Sequence, residues 1–311
     1  MSIFIWIIQL FFVPALSPLC IGIIRKIKAK LQNRQGANIF QPYRDIWKLL
    51  HKDEVISNDA SWVFRFTPYI VFAVTLVVGF SIPIFFPLIA GFVTSDILFV
   101  VYTLAIGTFF MALAGVDTGS AFGGFGSSRE MTISALAEGG FIFSLLTMAL
   151  IAGSSNLFDI ANFSQSISGQ YFLPAILAFC GFFIVLLAEN ARFPFDNPST
   201  HLELTMVHEA MILEFSGKRL ALMEWAAANK LLIFMVLGAN LFFPFGFDTN
   251  VGFTAIFLSI FYFLIKIFLF CGAIAVLEST IAKFRFFRLP DLLFISFIFN
   301  VVAIGLIYSI K

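Results

Sequence analysis

Charged residues are scarce in this sequence of 311 residues. Asp, Glu, Lys and Arg together make up 12% of the chain, against the roughly 25% that is typical of soluble domains. A chain of this composition has too little polar surface to stay in solution as a globular protein. Its net charge of +1 also gives no electrostatic basis for binding nucleic acid.

Residues that commonly bind metals are also few, since the chain has three cysteines and three histidines. Cys20, Cys180 and Cys271 lie within apolar runs and form no CxxC pair. This placement favours small core residues over a disulfide framework or a metal site. We therefore expect that this chain binds no cofactor and no metal of its own.

Apolar residues are abundant, at 60% of the chain with 44 phenylalanines. A membrane span needs roughly 20 predominantly apolar residues. The sequence predicts an all-α, polytopic membrane protein that forms a single membrane domain over residues 1–311, with about eight spans and amphipathic helices on its inner face. The predicted spans are residues 3–24, 66–88, 97–114, 131–152, 171–188, 225–245, 252–277 and 292–310.

Basic residues are segregated between the connections. Segment 25–52 alone holds 8 of the 19 Lys and Arg residues, and most others lie near Arg129, in 192–230 and in 283–288. The alternate connections, near Val93 and in 156–170 and 246–251, hold none. This asymmetry follows the positive-inside rule. It predicts a multi-pass protein of the cell (inner) membrane with both termini outside.

Two inner segments are too long to be simple turns. In segment 25–61, Pro42 suits a helix start, and apolar residues Tyr43, Ile46, Trp47 and Leu50 follow at helical spacing. This pattern predicts an amphipathic helix in the membrane interface. It serves either as an anchor or as a docking ledge for a peripheral subunit, and the two roles are compatible.

The second long segment, 189–230, combines apolar residues with acids and histidines. Its titratable residues include His201, Glu203, His208, Glu209, Glu214 and Glu224. Acids in partly dry surroundings exchange protons near neutral pH. A solvated amphipathic helix explains the same composition. The zinc-protease motif HExxH is absent, because Ile212 stands where the second histidine must be.

Burial of an ionisable residue within a membrane span costs free energy, so the ionisable residues within the predicted spans are candidates for function. Glu138 lies about two turns into the fourth span, Glu130 marks its inner end, and Glu278 closes the seventh span, which also holds Lys266. Proton handling is one interpretation, and structural ion pairing is the other.

The segment 115–128 holds five glycines around Asp117, Phe122 and Phe125. It matches no nucleotide-binding motif. We expect a pliable loop or a surface that another backbone approaches closely.

Residues 188–196, Ala-Glu-Asn-Ala-Arg-Phe-Pro-Phe-Asp, resemble a known signature. It is the (E)xxRxPFD motif of the NADH dehydrogenase subunit 1 family of respiratory complex I. Arg129 with Glu138, the run 214–217 and the run 283–285 resemble that family as well. The runs 41–45, 196–205, 208–211 and 287–293 are most similar to its membrane-bound hydrogenase branch, the membrane subunits of formate hydrogenlyase and hydrogenase-4.

The resemblance implies a non-catalytic coupling subunit that links a hydrophilic redox arm to ion translocation. Iron–sulfur clusters and a nickel–iron site would then lie on peripheral partner subunits, and antiporter-like membrane subunits would be further partners. A proton path would use Glu130, Glu138, Glu278, Glu203, Glu209 and Glu214. The arm junction and its loop would use Glu189, Arg192, Asp196, His201 and His208.

Two rival functions stay open at this point. The first is the quinone-site subunit of a proton-pumping NADH dehydrogenase-like complex. The second is a stand-alone secondary transporter, although such proteins usually show internal repeats with broken helices, and none is evident in this sequence.

Overall fold

The computed structural model describes residues 2–57, 59–84, 93–164, 169–196, 206–243 and 253–310, without the side chains of residues 2–10, 93 and 253–256. These parts of the chain are helical and contain no β-strand, which confirms the predicted all-α class. The helices are α1 (Ser2–Leu31), α2 (Gln41–Leu50), α3 (Trp62–Ser81), α4 (Ile97–Asp117), α5 (Ala121–Ala152), α6 (Leu157–Ser164), α7 (Phe172–Glu189), α8 (His208–Ile212), α9 (Gly217–Leu241), α10 (Phe253–Thr280) and α11 (Leu289–Ile310).

Seven helices within the described residues are long and apolar enough to cross a membrane: α3, α4, α5, α7, α9, α10 and α11. They correspond to the second to eighth predicted spans. The first predicted span, residues 3–24, lies within the 30-residue helix α1. The span predicted over 66–88 begins earlier, at Trp62, and its helix ends at Ser81. Pro83 explains this end, because proline cannot continue a helix.

Helix α1 contains two prolines, and neighbouring side chains compensate for the second. Pro18 has no N–H to donate to the carbonyl of Pro14, four residues earlier. That carbonyl instead accepts a hydrogen bond from Trp225 Nε1 at 2.9 Å. Side chains of neighbouring helices commonly satisfy backbone groups freed in this way within membranes. The proline thus joins α1 to α9.

Helix α9 is the centre of the bundle, and residues 228–241 are buried except for Lys230. It contacts α1, α2, α3, α6, α7 and α10. Buried hydrogen bonds fix it against two of these helices: Ser17 Oγ donates to Asn229 Oδ1 at 2.6 Å, and Asn229 Nδ2 donates to Thr75 Oγ1 at 3.1 Å. Polar contacts of this kind stabilise helix packing in membranes.

Helix α2 begins where the sequence predicts, with Pro42 in its first turn, and it is amphipathic. Pro42 and Ile46 are buried. Trp47, which we expected on the apolar face, is 67% exposed. The helix packs on α1 and α9 through one narrow stripe and leaves Trp47 available to lipid or to a partner.

The glycine-rich segment 115–128 is mostly helical, which excludes the pliable loop and leaves the second of the two expected alternatives, a close backbone approach. Helix α4 ends at Asp117 and α5 already begins at Ala121. The expected close approach is present, because a Cβ atom on Gly123 would lie 2.2 Å from the carbonyl oxygen of Gly115. A Cβ atom on Gly126 would lie 2.8 Å from Ala210 Cβ of α8. The glycines therefore let α4, α5 and α8 meet at backbone distance.

Replacing Gly123 by alanine should force α4 and α5 apart. We expect the thermal unfolding midpoint of the purified protein to fall, by the equivalent of about 1–3 kcal/mol. Gly124→Ala is the matched control, since its Cβ would meet no atom within 4 Å. Equal midpoints for the two variants would contradict this packing.

Candidate functional site

One end of the bundle gathers most of the charged side chains, and we call it the charged face. It comprises α2, α8, the carboxyl ends of α1, α7 and α10, and the amino ends of α5, α9 and α11. A cavity of about 790 Å³ opens into this face. Seven of the predicted site residues line it: Glu130, Glu189, Arg192, Asp196, His208, Glu209 and Glu278.

The walls of the cavity differ in charge. The α1–α2 side contributes five basic residues, Arg25, Lys28, Arg34, Lys48 and Lys52, and one acid, Asp45. The rest of the lining contributes six acids, Glu130, Glu189, Asp196, Glu209, Glu224 and Glu278, and the two cations Arg192 and Lys230. The end of the cavity that extends between the helices is lined by apolar residues of α3 and α4, such as Val71, Val74, Leu104 and Met111. An amphiphilic molecule in the cavity can therefore contact charged side chains at one end and apolar side chains at the other.

Helix α7 ends in a backbone turn that positions Arg192. Ala191 has a left-handed φ of 47°. The N–H of Arg192 donates to the carbonyl of Leu187 at 2.8 Å, and the N–H of Ala191 donates to that of Ala188 at 3.1 Å. This pair of bonds is the Schellman motif. It reverses the chain directly after α7 and brings the Arg192 side chain over the cavity.

Glu278 is the central anchor of the charged face. Its Oε1 lies 3.1 Å from Arg192 Nη1 and its Oε2 lies 3.0 Å from Lys28 Nζ, and only 2% of its side chain is exposed. Lys28 also lies 4.9 Å from the centre of the Phe193 ring. A single carboxylate therefore joins α1, α10 and the segment after α7. Its predicted place on a proton path stays a prediction.

Asp196 organises the segment that leads into α8. Its Oδ1 lies 2.6 Å from Lys283 Nζ. Its Oδ2 accepts hydrogen bonds from the backbone N–H groups of Val207 at 3.1 Å and His208 at 3.2 Å. The N–H of Phe284 donates to the carbonyl of Pro194 at 3.1 Å. The motif is therefore bonded on one side to α8 and on the other to the α10–α11 connection.

Half-buried His208 forms a pair with buried Glu130, with Nδ1 and Oε1 4.0 Å apart. Burial opposes a charge on His208, and Lys230 acts in the same direction. The carboxylates of Glu130 and Glu209 outweigh both and raise the pKa of His208 above its ordinary value. The pair is therefore a salt bridge only while the imidazole of His208 is protonated.

Glu189 and Lys230 form a second pair, with Oε2 and Nζ 2.8 Å apart. The other oxygen of Glu189, Oε1, is buried and has no hydrogen-bond partner among the described residues. Glu138 lies in α5 and is half-buried, and it accepts a weak hydrogen bond of 3.4 Å from Ser134 Oγ. The charges that act on Glu138 are those of Glu189 and Lys230.

The remaining predicted residues are placed differently. Glu138 does not line the cavity, and Glu214 is exposed beyond α8. His201 and Glu203 lie outside the described residues. Sequence reasoning missed the partners Lys28, Lys230 and Lys283. Lys28 and Lys283 lie in basic runs and Lys230 is an isolated cation, and neither setting indicates which acid each lysine meets.

Within the described ranges, no three His, Cys, Asp or Glu residues are arranged to hold a metal ion. The three cysteines are free, and Cys20 and Cys271 are buried between α1 and α10. The expectation that this chain binds no cofactor of its own stays a prediction.

These features define the class of the protein: an all-helical, polytopic membrane protein with a charged cavity at one end of its bundle. Residues 3–309 match the family described as NADH dehydrogenase. The chain therefore belongs to the NADH dehydrogenase family, which confirms the resemblance of the 188–196 motif.

Three relatives illustrate the match. Hydrogenase-4 component C of Escherichia coli (strain K12) is 34% identical over 284 residues, which cover 91% of this chain and 88% of the relative. Formate hydrogenlyase subunit 4 of the same organism is 30% identical over 303 residues, 97% and 98% of the two chains. An NADH-quinone oxidoreductase subunit of Paraburkholderia phymatum is 26% identical over 265 residues, 82% and 74% of the two chains.

A solved structure has the same fold. It is a chain of the membrane-bound sulfane sulfur reductase, an archaeal respiratory membrane complex, with a TM-score of 0.81. The alignment covers 97% of this chain and 100% of that chain, at 20% sequence identity.

Glu278→Gln should destabilise the protein, because it leaves Lys28 and Arg192 without their shared carboxylate. We expect a loss of about 3 kcal/mol in the free energy of unfolding, which is typical when one partner of a buried ion pair is removed. Glu54→Gln is the control. It disrupts the more exposed Glu54–Arg219 pair of the same length, 3.0 Å, which is worth about 0–1 kcal/mol. Equal losses in denaturation experiments would refute the anchoring role.

The His208–Glu130 pair should make stability depend on pH. Its contribution is complete below the ordinary histidine pKa of about 6.5 and disappears as the pH rises through the raised pKa of His208. We expect His208→Gln to remove about 1 kcal/mol from the stability difference between about pH 6 and pH 9. His51→Gln, at an exposed position of the same face, should leave that difference unchanged. Identical pH profiles for wild type and His208→Gln would rule the pair out.

Proposed function

We propose that this chain couples electron transfer in a peripheral redox arm to ion translocation through the membrane. Its relatives are named as a component of hydrogenase-4 and as subunits of formate hydrogenlyase and NADH-quinone oxidoreductase. We accordingly assign this chain to the membrane part of a multisubunit redox complex. Redox chemistry belongs to partner subunits, and this chain transmits its effect as changes of charge.

The observation that carries the proposal is the row of charge pairs that leads from the cavity lining to Glu138. The row includes His208 with Glu130, then Lys230 with Glu189, and then Glu138 in α5. Lys230 connects its parts, because its charge acts on His208 and also on Glu138. A displacement of Lys230 would therefore change the electrostatic environment of both His208 and Glu138.

The chemistry required of this row is proton exchange between carboxyl groups. An acid that loses its neighbouring cation in dry surroundings favours the protonated form. In this mechanism, Glu189 would accept a proton from the cavity when Lys230 moves away from it. When Lys230 returns, that proton leaves towards Glu138. A change of charge at the charged face, where the redox arm binds, would drive the displacement.

The arm would supply the groups that this chain lacks. Iron–sulfur clusters and, in a hydrogenase complex, a nickel–iron site would be held by peripheral subunits on the charged face. Antiporter-like subunits would accept the protons laterally within the membrane. The charged face would be the inner side of the cell membrane, with both termini outside, because basic connections stay on the inner side.

A second candidate function is quinone binding, and the apolar end of the cavity favours it. A volume of about 790 Å³ falls within the range of about 300–1,000 Å³ that is common for small-molecule sites. Inhibition of the assembled complex by quinone analogues would support this function. Hydrogen evolution insensitive to those analogues would support the coupling role without a quinone.

Glu138→Gln should uncouple the complex. We expect the number of protons translocated per electron pair to fall about tenfold or more in membrane vesicles, since an amide cannot exchange a proton. Glu209→Gln should also reduce coupling. Asp159→Asn, an exposed position beside Ser154 at the far end of α5, is the control and should have no effect. If both glutamate variants leave proton-coupled turnover unchanged, the proposal fails.

A further inference from the structure

The connection between α10 and α11 forms a surface that the coupling row does not use. Residues 283–288 read Lys-Phe-Arg-Phe-Phe-Arg, and we call them the basic–aromatic loop. Phe287 is 87% exposed and Phe284 is 40% exposed. Two of its three cations, Arg285 and Arg288, are exposed, and no ion pair or side-chain hydrogen bond joins either to the described residues. The nearest acid in the sequence, Asp291, is exposed in the first turn of α11.

A pocket of about 310 Å³ lies beneath this loop. Buried apolar side chains line it, namely Phe195, Val207 and Leu289. Its described lining includes the cations Arg129, Lys283 and Arg285 and no acid. Arg129 is held in place by the carbonyl of Met206, at 3.2 Å, and lies 5.9 Å from the Phe286 ring. The pocket thus combines an apolar lining with cations.

We propose that the basic–aromatic loop and its pocket are the docking site for an acidic segment of a peripheral redox subunit, with one carboxylate bound beside Arg285. The proposal rests on the assignment of this chain to a multisubunit redox complex. Guanidinium groups bind carboxylates through two parallel hydrogen bonds. The exposed phenylalanines provide the apolar contact that anchors an interface.

The shape of the pocket favours a protein segment over a lipid. Its volume is at the lower end of the roughly 300–1,000 Å³ of small-molecule sites, so it accommodates one or two side chains. Apart from Arg129, in the third turn of α5, its described lining residues belong to connections between helices or to the first turn of α11. An acyl chain would need an apolar path between spans, and the lining includes none.

The docking site is also in contact with the 188–196 motif. Lys283 of the loop pairs with Asp196, and the N–H of Phe284 bonds to Pro194. Asp196 in turn holds the backbone N–H groups of Val207 and His208. A segment bound at Arg285 therefore lies two contacts away from the His208–Glu130 pair.

The first test reverses charge in the assembled complex. The variant Arg285→Glu/Arg288→Glu should retain about tenfold less of the peripheral subunits on isolated membranes, because like charges would face each other. Its effect should be greatest at low salt. The control Arg285→Lys/Arg288→Lys replaces the same two side chains but keeps both charges, and it should retain most of the peripheral subunits. Full retention, or an equal loss in both double variants, would overturn the docking site.

The second test identifies the occupant without charge changes. A photoreactive benzoylphenylalanine replaces Phe287, and the complex is irradiated in its native membrane. We expect a cross-link to a peripheral redox subunit, at a peptide that contains Asp or Glu. Cross-links to phospholipid alone, or to a peptide without acids, would overturn the proposal. If Arg285→Glu/Arg288→Glu retains its peripheral subunits while Glu138→Gln is uncoupled, the docking proposal is refuted. The proposed coupling function would then still hold.

Discussion

A charged side chain placed among membrane helices costs several kcal/mol unless an opposite charge meets it, and the charged face of this protein is built around that requirement. Glu278 meets Lys28 and Arg192, Asp196 meets Lys283, and Glu189 meets Lys230. Each pair joins residues that are distant in the sequence. The ion pairs therefore hold the helix ends in place.

This arrangement explains how a chain with few redox-capable residues can serve a redox complex. Asp196 is bonded to the α10–α11 connection through Lys283 and to α8 through backbone N–H groups. A movement of a subunit bound on the charged face would reach His208 through these contacts. From there the effect would pass by electrostatics to Lys230 and Glu138, without any electron entering the membrane subunit.

Much of the fold follows from the sequence, because long apolar runs have few alternatives to spanning helices. Pro42 also marks a helix start by local chemistry, whereas the span predicted over 66–88 ran past Pro83, before which α3 ends. The glycines at 115–126 were harder to interpret, since the same residues suit a loop or a close helix contact, and only the packing of α8 decides between them. The pairing of Glu278 with Lys28 could not be predicted, because 250 positions separate the two residues and neither local pattern specifies its partner. Trp47 was misplaced for a similar reason, since the width of the buried stripe on α2 depends on α1 and α9.

The most direct measurement of coupling through these carboxyl groups is redox-triggered difference infrared spectroscopy of the whole complex in lipid. We expect carboxyl bands that change when the redox arm is reduced, shift in heavy water, and diminish when the Lys230–Glu189 pair is removed. A spectrum in which no carboxyl group of this chain changes its protonation during turnover would contradict the coupling mechanism, and only the helical scaffold and its family membership would remain.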